Sequence, residues 1–376
     1  MLLASLLGPV RQSFGPLRGH FARCGLILLI GVLLAGCSAV SYGVQAVAGH
    51  GRILNDRQPV QDVIADPQTP PQVRSRLVLA QHVIAFGEAR GLRTGRNYRH
   101  YSRTDPDAVV YNVFATPEFS LSPLTNCFPV IGCVAYRGFY DPQEASAYRD
   151  KLVEQGKDTA LFPIGAYSTL GFTPDPLTTA IIARSELSLI KTLLHESVHS
   201  TVFLGGDTAF DEGLAEAIAR ELSAQFIAQQ ALEPGADAVS SAEILADFEA
   251  GDRAEQLVNQ SVNEFKLLLA NIYADPFMSD EEKRAAKAQV FQQMRSWQRE
   301  QRDALYPYTY DRMFAGEMNN AHLMAFGLYD DLTGDLQQIF VQRFGRDVSA
   351  MVAWARGLKS ATPSQHRQEI ARLLNE

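Results

Sequence analysis

Apolar positions recur at steps of three and four through residues 72–92, with Val73, Leu77, Ala80 and Ile84 in register, which predicts an amphipathic helix. Between residues 98 and 140 the pattern changes to Tyr, Val, Phe, Thr and Pro. Val109–Ala115 and Cys133–Tyr140 there predict strands. Residues 142–155 predict a second helix and residues 158–163 a short strand. A further strand candidate, Ala166–Phe172, ends at Pro174-Asp175-Pro176. From residue 177 onward the helical period dominates. Long stretches rich in Ala, Glu, Gln, Arg and Leu cover 212–232, 241–272 and 279–303, broken at Pro234-Gly235 and Asp275-Pro276. The expected fold is α+β and predominantly α-helical, with a small mixed sheet region packed on a helical body. No internal repeat or low-complexity tract interrupts it.

Composition narrows the function. The chain has 376 residues, 46% of them hydrophobic and 20% charged, and a mean hydropathy of −0.09. That excludes wholesale disorder, collagen-like sequence and a multi-pass membrane protein. The net charge of −8 and the absence of a Lys/Arg cluster argue against a nucleic-acid partner.

The N-terminus reads as an address. Residues 1–36 carry Arg11, Arg18 and Arg23 with no acid, then an apolar run from Gly25 to Leu34 and Leu34-Ala35-Gly36-Cys37. The run is well short of the ~20 residues a spanning helix needs. A basic start, a short apolar stretch and small residues before a cleavage point describe an export signal. Leu-Ala-Gly-Cys resembles the bacterial lipobox, which implies cleavage before Cys37 and acylation of its thiol. An ordinary secretory signal or a short anchor helix is the alternative. With Ser38 after Cys37, the resemblance implies outer-membrane attachment facing the periplasm. Loss of the three arginines takes the net charge from −8 to −11. Membrane attachment would then rest on the lipid. The expected organisation is a signal over 1–36, a lipidated tether over 37–60, a mixed α/β region over 61–176 and a helical catalytic region over 177–376.

Export leaves Cys127 and Cys133 in an oxidising compartment, in a short loop with Pro129 and Gly132. A disulfide is the favoured expectation. A metal pair is the alternative, with no His or further Cys beside it.

The chemistry concentrates at His195-Glu196-Ser197-Val198-His199. Leu187, Ile190, Leu194, Val198 and Val202 give this stretch an apolar helical face, and Gly205-Gly206 supplies a stop. Two histidines four apart on a helix share a face and can reach one cation. Glu196, turned about 100° from His195 in helical projection, is free to act on a water as general base. Thr208 with Asp211 predicts a capping box for the next helix. Glu212 lies in that helix's first turns, where it completes a two-His, one-carboxylate catalytic Zn²⁺ site with a position left open. Glu216, one turn on, is placed to fix a ligand imidazole.

His195-Glu-x-x-His199 with Glu212-x-x-x-Glu216 resembles the gluzincin, thermolysin-like metallopeptidases. A finer resemblance is to a bacterial family of aminopeptidase lipoproteins. It is carried by the lipobox, Cys127-Phe-Pro-Val-Ile-Gly-Cys133-Val-x-Tyr-Arg-Gly-Phe, Ala166-Tyr-Ser-Thr-Leu-Gly-Phe, Gly206-Asp-Thr-x-Phe-x-Glu212 and Asn319-Asn-Ala-x-Leu323. The family pattern has Phe-Asn-Glu-Ser where this chain has Phe210-Asp-Glu-Gly213. The resemblance implies a zincin-like helical body, one zinc per chain, a peptide or protein substrate and aminopeptidase activity. It also implies an edge strand at Ala166–Phe172 that would pair with substrate backbone through Tyr167, Ser168 and Leu170. Tyr167 as a core aromatic is an equal alternative. Tyr167, His322 and Tyr329 are candidate oxyanion donors, with a structural or surface role as the alternative for each. Asn319 and Asn320 read as caps for the helix of His322, and His50, His82, His100 and His366 as solvated. Two other functions compete with an aminopeptidase. One is a non-catalytic envelope lipoprotein with structural zinc, acting as a binding or assembly module. The other is an endopeptidase or chaperone-protease.

Overall fold

A computed structural model describes residues 42–43, 45–128, 132–165, 173–230, 238–308, 310–314, 316–327 and 332–376. Strands occupy the first half: β1 (Gln58–Pro59), β2 (His100–Ser102), β3 (Val110–Pro117), β4 (Asn126–Phe128), β5 (Gly132–Val134), β6 (Tyr136–Phe139), β7 (Lys157–Ile164) and β8 (Leu177–Thr178). Among them lie helices α1 (Val60–Ala65), α2 (Pro71–Ala89) and α3 (Pro142–Glu154). Helices then dominate: α4 (Thr179–Ile182), α5 (Glu186–Thr201), α6 (Thr208–Gln230), α7 (Ala238–Ala274) and α8 (Asp280–Glu300). They continue through α9 (Arg302–Leu305), α10 (Asp311–Phe314), α11 (Asn320–Gly327), α12 (Thr333–Gln342), α13 (Val348–Gly357) and α14 (Pro363–Asn375). The fold is α+β and mostly helical, as the apolar periodicity predicts.

The sheets are small. In one, β2 pairs antiparallel with β1 and parallel with β8. In the other, β3 runs between β6 and β7, antiparallel to both, with Val113 opposite Arg137 and Leu161. β4 and β5 form a hairpin in which Cys127 stands opposite Cys133. Residues 51–376 form one unit; before it, residues 42–43 and 45–50 are helical. Residues 51–55, at the end of the expected tether, are also helical, and Ile53 is buried with Val109 and Ala180.

The main core gathers α2, α5, α6 and α12–α14 around Leu77, Leu193, Leu214, Ile218, Phe226 and Phe340. A second core lies between α7 and α8, with Val258, Phe291 and Met294. α11 is lashed to the β3–β7 sheet region by Asn320, which is fully buried. Its amide donates to Glu118 O (2.9 Å), its backbone N–H to Asp158 Oδ2 (2.9 Å), and Tyr273 Oη donates to its Oδ1 (2.8 Å). Asn320 thus does more than the expected capping, which Asn319 performs for Ala321 N–H at 3.0 Å. Among the described residues no helix is long and apolar enough to cross a membrane. Cys37, Tyr167, Ser168, Leu170 and Tyr329 lie outside the described residues.

Candidate metal centre

α5 begins at Ser185, whose hydroxyl accepts from Ser188 N–H at 3.2 Å, with Glu186 in the first turn where the helix dipole favours an acid. Leu189, Ile190, Leu193, Leu194 and Val198 bury its apolar side. The helix stops at Thr201, and the chain reverses through Gly205 (φ +73°) and Gly206 (φ +87°), which adopt left-handed backbone without a Cβ penalty. α6 then returns and packs against α5.

The start of α6 differs from the expected capping box. Asp207 caps it, accepting Phe210 N–H at 3.3 Å. Asp211 instead turns back onto the connecting loop and accepts Leu204 N–H (2.8 Å) and Gly205 N–H (2.9 Å). The other Asp207 oxygen meets His366 Nδ1 at 2.8 Å, while His366 Nε2 bonds Leu358 O at 3.1 Å. His366 is therefore buried, not solvated. Its polar helix α14 gives no hint of this, because the partner is 159 residues away.

This frame brings three ligand-type atoms together. His195 Nε2 lies 3.1 Å from His199 Nε2 and 3.2 Å from Glu212 Oε2, and His199 Nε2 lies 3.5 Å from the same carboxylate oxygen. His195, His199 and Glu212 are the group among the described residues that could hold a metal ion. His199 is buried and the other two are partly covered. Phe203 stands edge-on to His199, with ring centroids 5.9 Å apart.

The electrostatics favour a charged His195 and an ionised Glu212. Burial opposes a charged His195, but hydrogen bonds to Glu212 and Glu216 outweigh it and push its pKa up to about 10. Burial likewise opposes a charged Glu212, yet its bonds to His195 and His199 bring it down to about 2. Glu196 is half-buried on the same helix. Its negative charge acts on His195 and on Arg184, whose guanidinium is lowered by burial with Glu196 opposing.

Behind His195 lies Glu216, where the spacing places it, within a larger set of charges that spacing does not show. Glu216 Oε2 is 3.5 Å from His195 Nδ1, and Glu216 Oε1 is 2.6 Å from Lys191 Nζ. Lys191 also reaches Glu255 Oε2 on α7 at 2.9 Å, and Arg220 Nε pairs with Asp252 Oδ1 at 2.6 Å. Lys191, four residues before His195, and Arg220, four after Glu216, each carry a sequence-local signal. The acidic partner of Lys191 on α7, Glu255, is 64 residues away. His322 is not part of the cluster. Its Nδ1 accepts Asn319 N–H at 3.3 Å and its ring stands edge-on to Phe162.

Gly213 lies on α6 where α12 approaches it. A Cβ there would sit 3.3 Å from the Leu332 backbone carbon and 3.2 Å from Leu336 Cδ1, so glycine lets α12 pack close to α6.

No curated protein and no solved structure matches the chain. A family described as "Putative aminopeptidase" matches residues 41–370, and the chain belongs to that family.

Proposed function

We propose that the protein is a zinc metallopeptidase of the aminopeptidase type. The observation that carries this reading is the convergence of His195 Nε2, His199 Nε2 and Glu212 Oε2, with Glu196 next to a ligand on the same helix. Two imidazoles and a carboxylate are a donor set that zinc favours at catalytic centres. Tetrahedral bonds of about 2.0–2.2 Å place neighbouring donors about 3.3–3.6 Å apart. The observed separations of 3.1, 3.2 and 3.5 Å lie close to that spacing.

Zinc, when bound, would supply a Lewis acid that acidifies a water and polarises the scissile carbonyl. His195, His199 and Glu212 would hold it, and Glu216, reaching His195 Nδ1, would fix that ring's orientation. Glu196 would take a proton as the water oxygen adds to the carbonyl carbon. It would return the proton to the nitrogen as the C–N bond breaks.

Glu196→Gln tests the proton transfer. It is expected to keep zinc and to lower peptide turnover by about 10²–10⁴-fold, the usual contribution of a general base. Turnover within a few-fold of wild type would rule Glu196 out.

The envelope reading belongs to the same proposal: lipid on Cys37, outer-membrane attachment facing the periplasm, and a Cys127–Cys133 disulfide. The lipobox supports the first two, and the facing positions of the two cysteines in the β4–β5 hairpin support the third.

A further inference from the structure

A cavity of about 410 Å³ lies on the Glu216 side of His195. Its size falls within the ~300–1,000 Å³ typical of ligand pockets. Phe114, Phe162, Ile164, Val258 and Ala325 give it an apolar wall, and Glu216 and Glu255 add two carboxylates. Two features join it to the candidate metal centre. Glu216 reaches His195 Nδ1. The wall strand β7, an edge strand in its sheet, runs from Pro163 and Ile164 into Gly165, where a Cβ would stand 3.1 Å from Arg184 Nη2. Arg184 immediately precedes the N-cap of α5 and lies in the field of Glu196.

The two carboxylates would make such a pocket select a cation if they were left to the ligand. They are not. Lys191 Nζ bonds Glu216 at 2.6 Å and Glu255 at 2.9 Å, from a neighbouring cavity that it lines with Tyr308. Arg220 Nη2 stands 3.6 Å and 3.5 Å from the same two carboxylates, with its Nε on Asp252.

We propose that this cavity receives the substrate side chain flanking the scissile bond, and that Lys191, by engaging Glu216 and Glu255 together with Arg220, makes it select a large apolar residue over a basic one. The inference rests on the peptidase reading above and adds its substrate class. With Lys191 removed, Arg220 is left to serve Glu216, Glu255 and Asp252 alone. A ligand ammonium or guanidinium would then supply the missing charge.

The test competes peptides in one reaction with the zinc-loaded chain. The peptides are identical except for Phe, Leu, Ala, Lys or Arg at each position flanking the cleaved bond. Rates are read as ratios, so that any change at the metal centre cancels. Lys191→Met is expected to raise the Lys-over-Phe ratio at least tenfold. Asn259→Trp, which fills the cavity from α7, is expected to cut the preference for Phe over Ala at least tenfold. If Lys191→Met does not fold, the ratio in Asn259→Trp decides. Wild-type ratios in the folded, zinc-retaining variants would overturn the pocket and leave the peptidase reading standing. A wild-type chain that binds zinc and cleaves none of the peptides would overturn both.

Discussion

Burial opposes a charged His195, but Glu212 and Glu216 hold it in its charged form, with a pKa pushed up to about 10. Zinc needs that imidazole neutral, so ion and proton compete for one nitrogen. Glu212, at about 2, is already ionised at neutral pH and adds nothing to the competition there. At pH 7.5 zinc uptake is expected to release about one proton, and affinity should rise about tenfold per pH unit until the pH approaches 10. Calorimetry in buffers of different ionisation enthalpy measures this, and uptake without proton release would contradict it. His195 and His199 of the candidate group are legible in the sequence because a helix fixes the geometry of neighbours four apart. The contacts of Lys191 and Arg220 to α7 are not, since Glu255 and Asp252 are brought in by tertiary packing.

At the scale of elements, the turn between α5 and α6 sets the distance from the two histidines to Glu212. Two aspartates share its construction. Asp211 ties the loop amides of Leu204 and Gly205, and Asp207 caps α6 while holding the buried His366. Asp207→Ala removes a cap worth about 1 kcal/mol and leaves a buried imidazole without its acceptor, at a further ~1–3 kcal/mol. A loss of about 2–4 kcal/mol in unfolding free energy is expected in chemical denaturation. A change below about 0.5 kcal/mol, the range of an ordinary surface substitution, would show that the contact carries no stability. The Thr208-x-x-Asp211 pattern pointed to the right place for the helix start and to the wrong pair of residues. Asp211 takes the Leu204 and Gly205 amides of the preceding turn instead, a choice that spacing alone does not decide. The periodic helices behaved differently. Residues 72–92, 212–232, 241–272 and 279–303 match α2, α6, α7 and α8 closely, because each buries a continuous apolar face.

Across the whole molecule, the helical body and the small sheets follow from the shift between strand-like and helical periods along the chain. What the periods do not contain is the pairing of distant segments. The Asn320 contacts between α11 and the sheet region, the approach of α12 to Gly213, and the cavity between β7 and α7 each join residues far apart in sequence. The family match over residues 41–370 covers this body, while the lipobox before it and the edge-strand candidates Tyr167, Ser168 and Leu170 stay expectations from sequence.

The central claim is that His195, His199 and Glu212 hold one zinc ion on which peptide cleavage depends. Elemental analysis of the purified chain, beside His199→Ala, tests it most directly. One zinc per wild-type chain and none in the folded variant is the predicted result. A wild-type chain that holds no zinc, even after reloading without chelator, would contradict it.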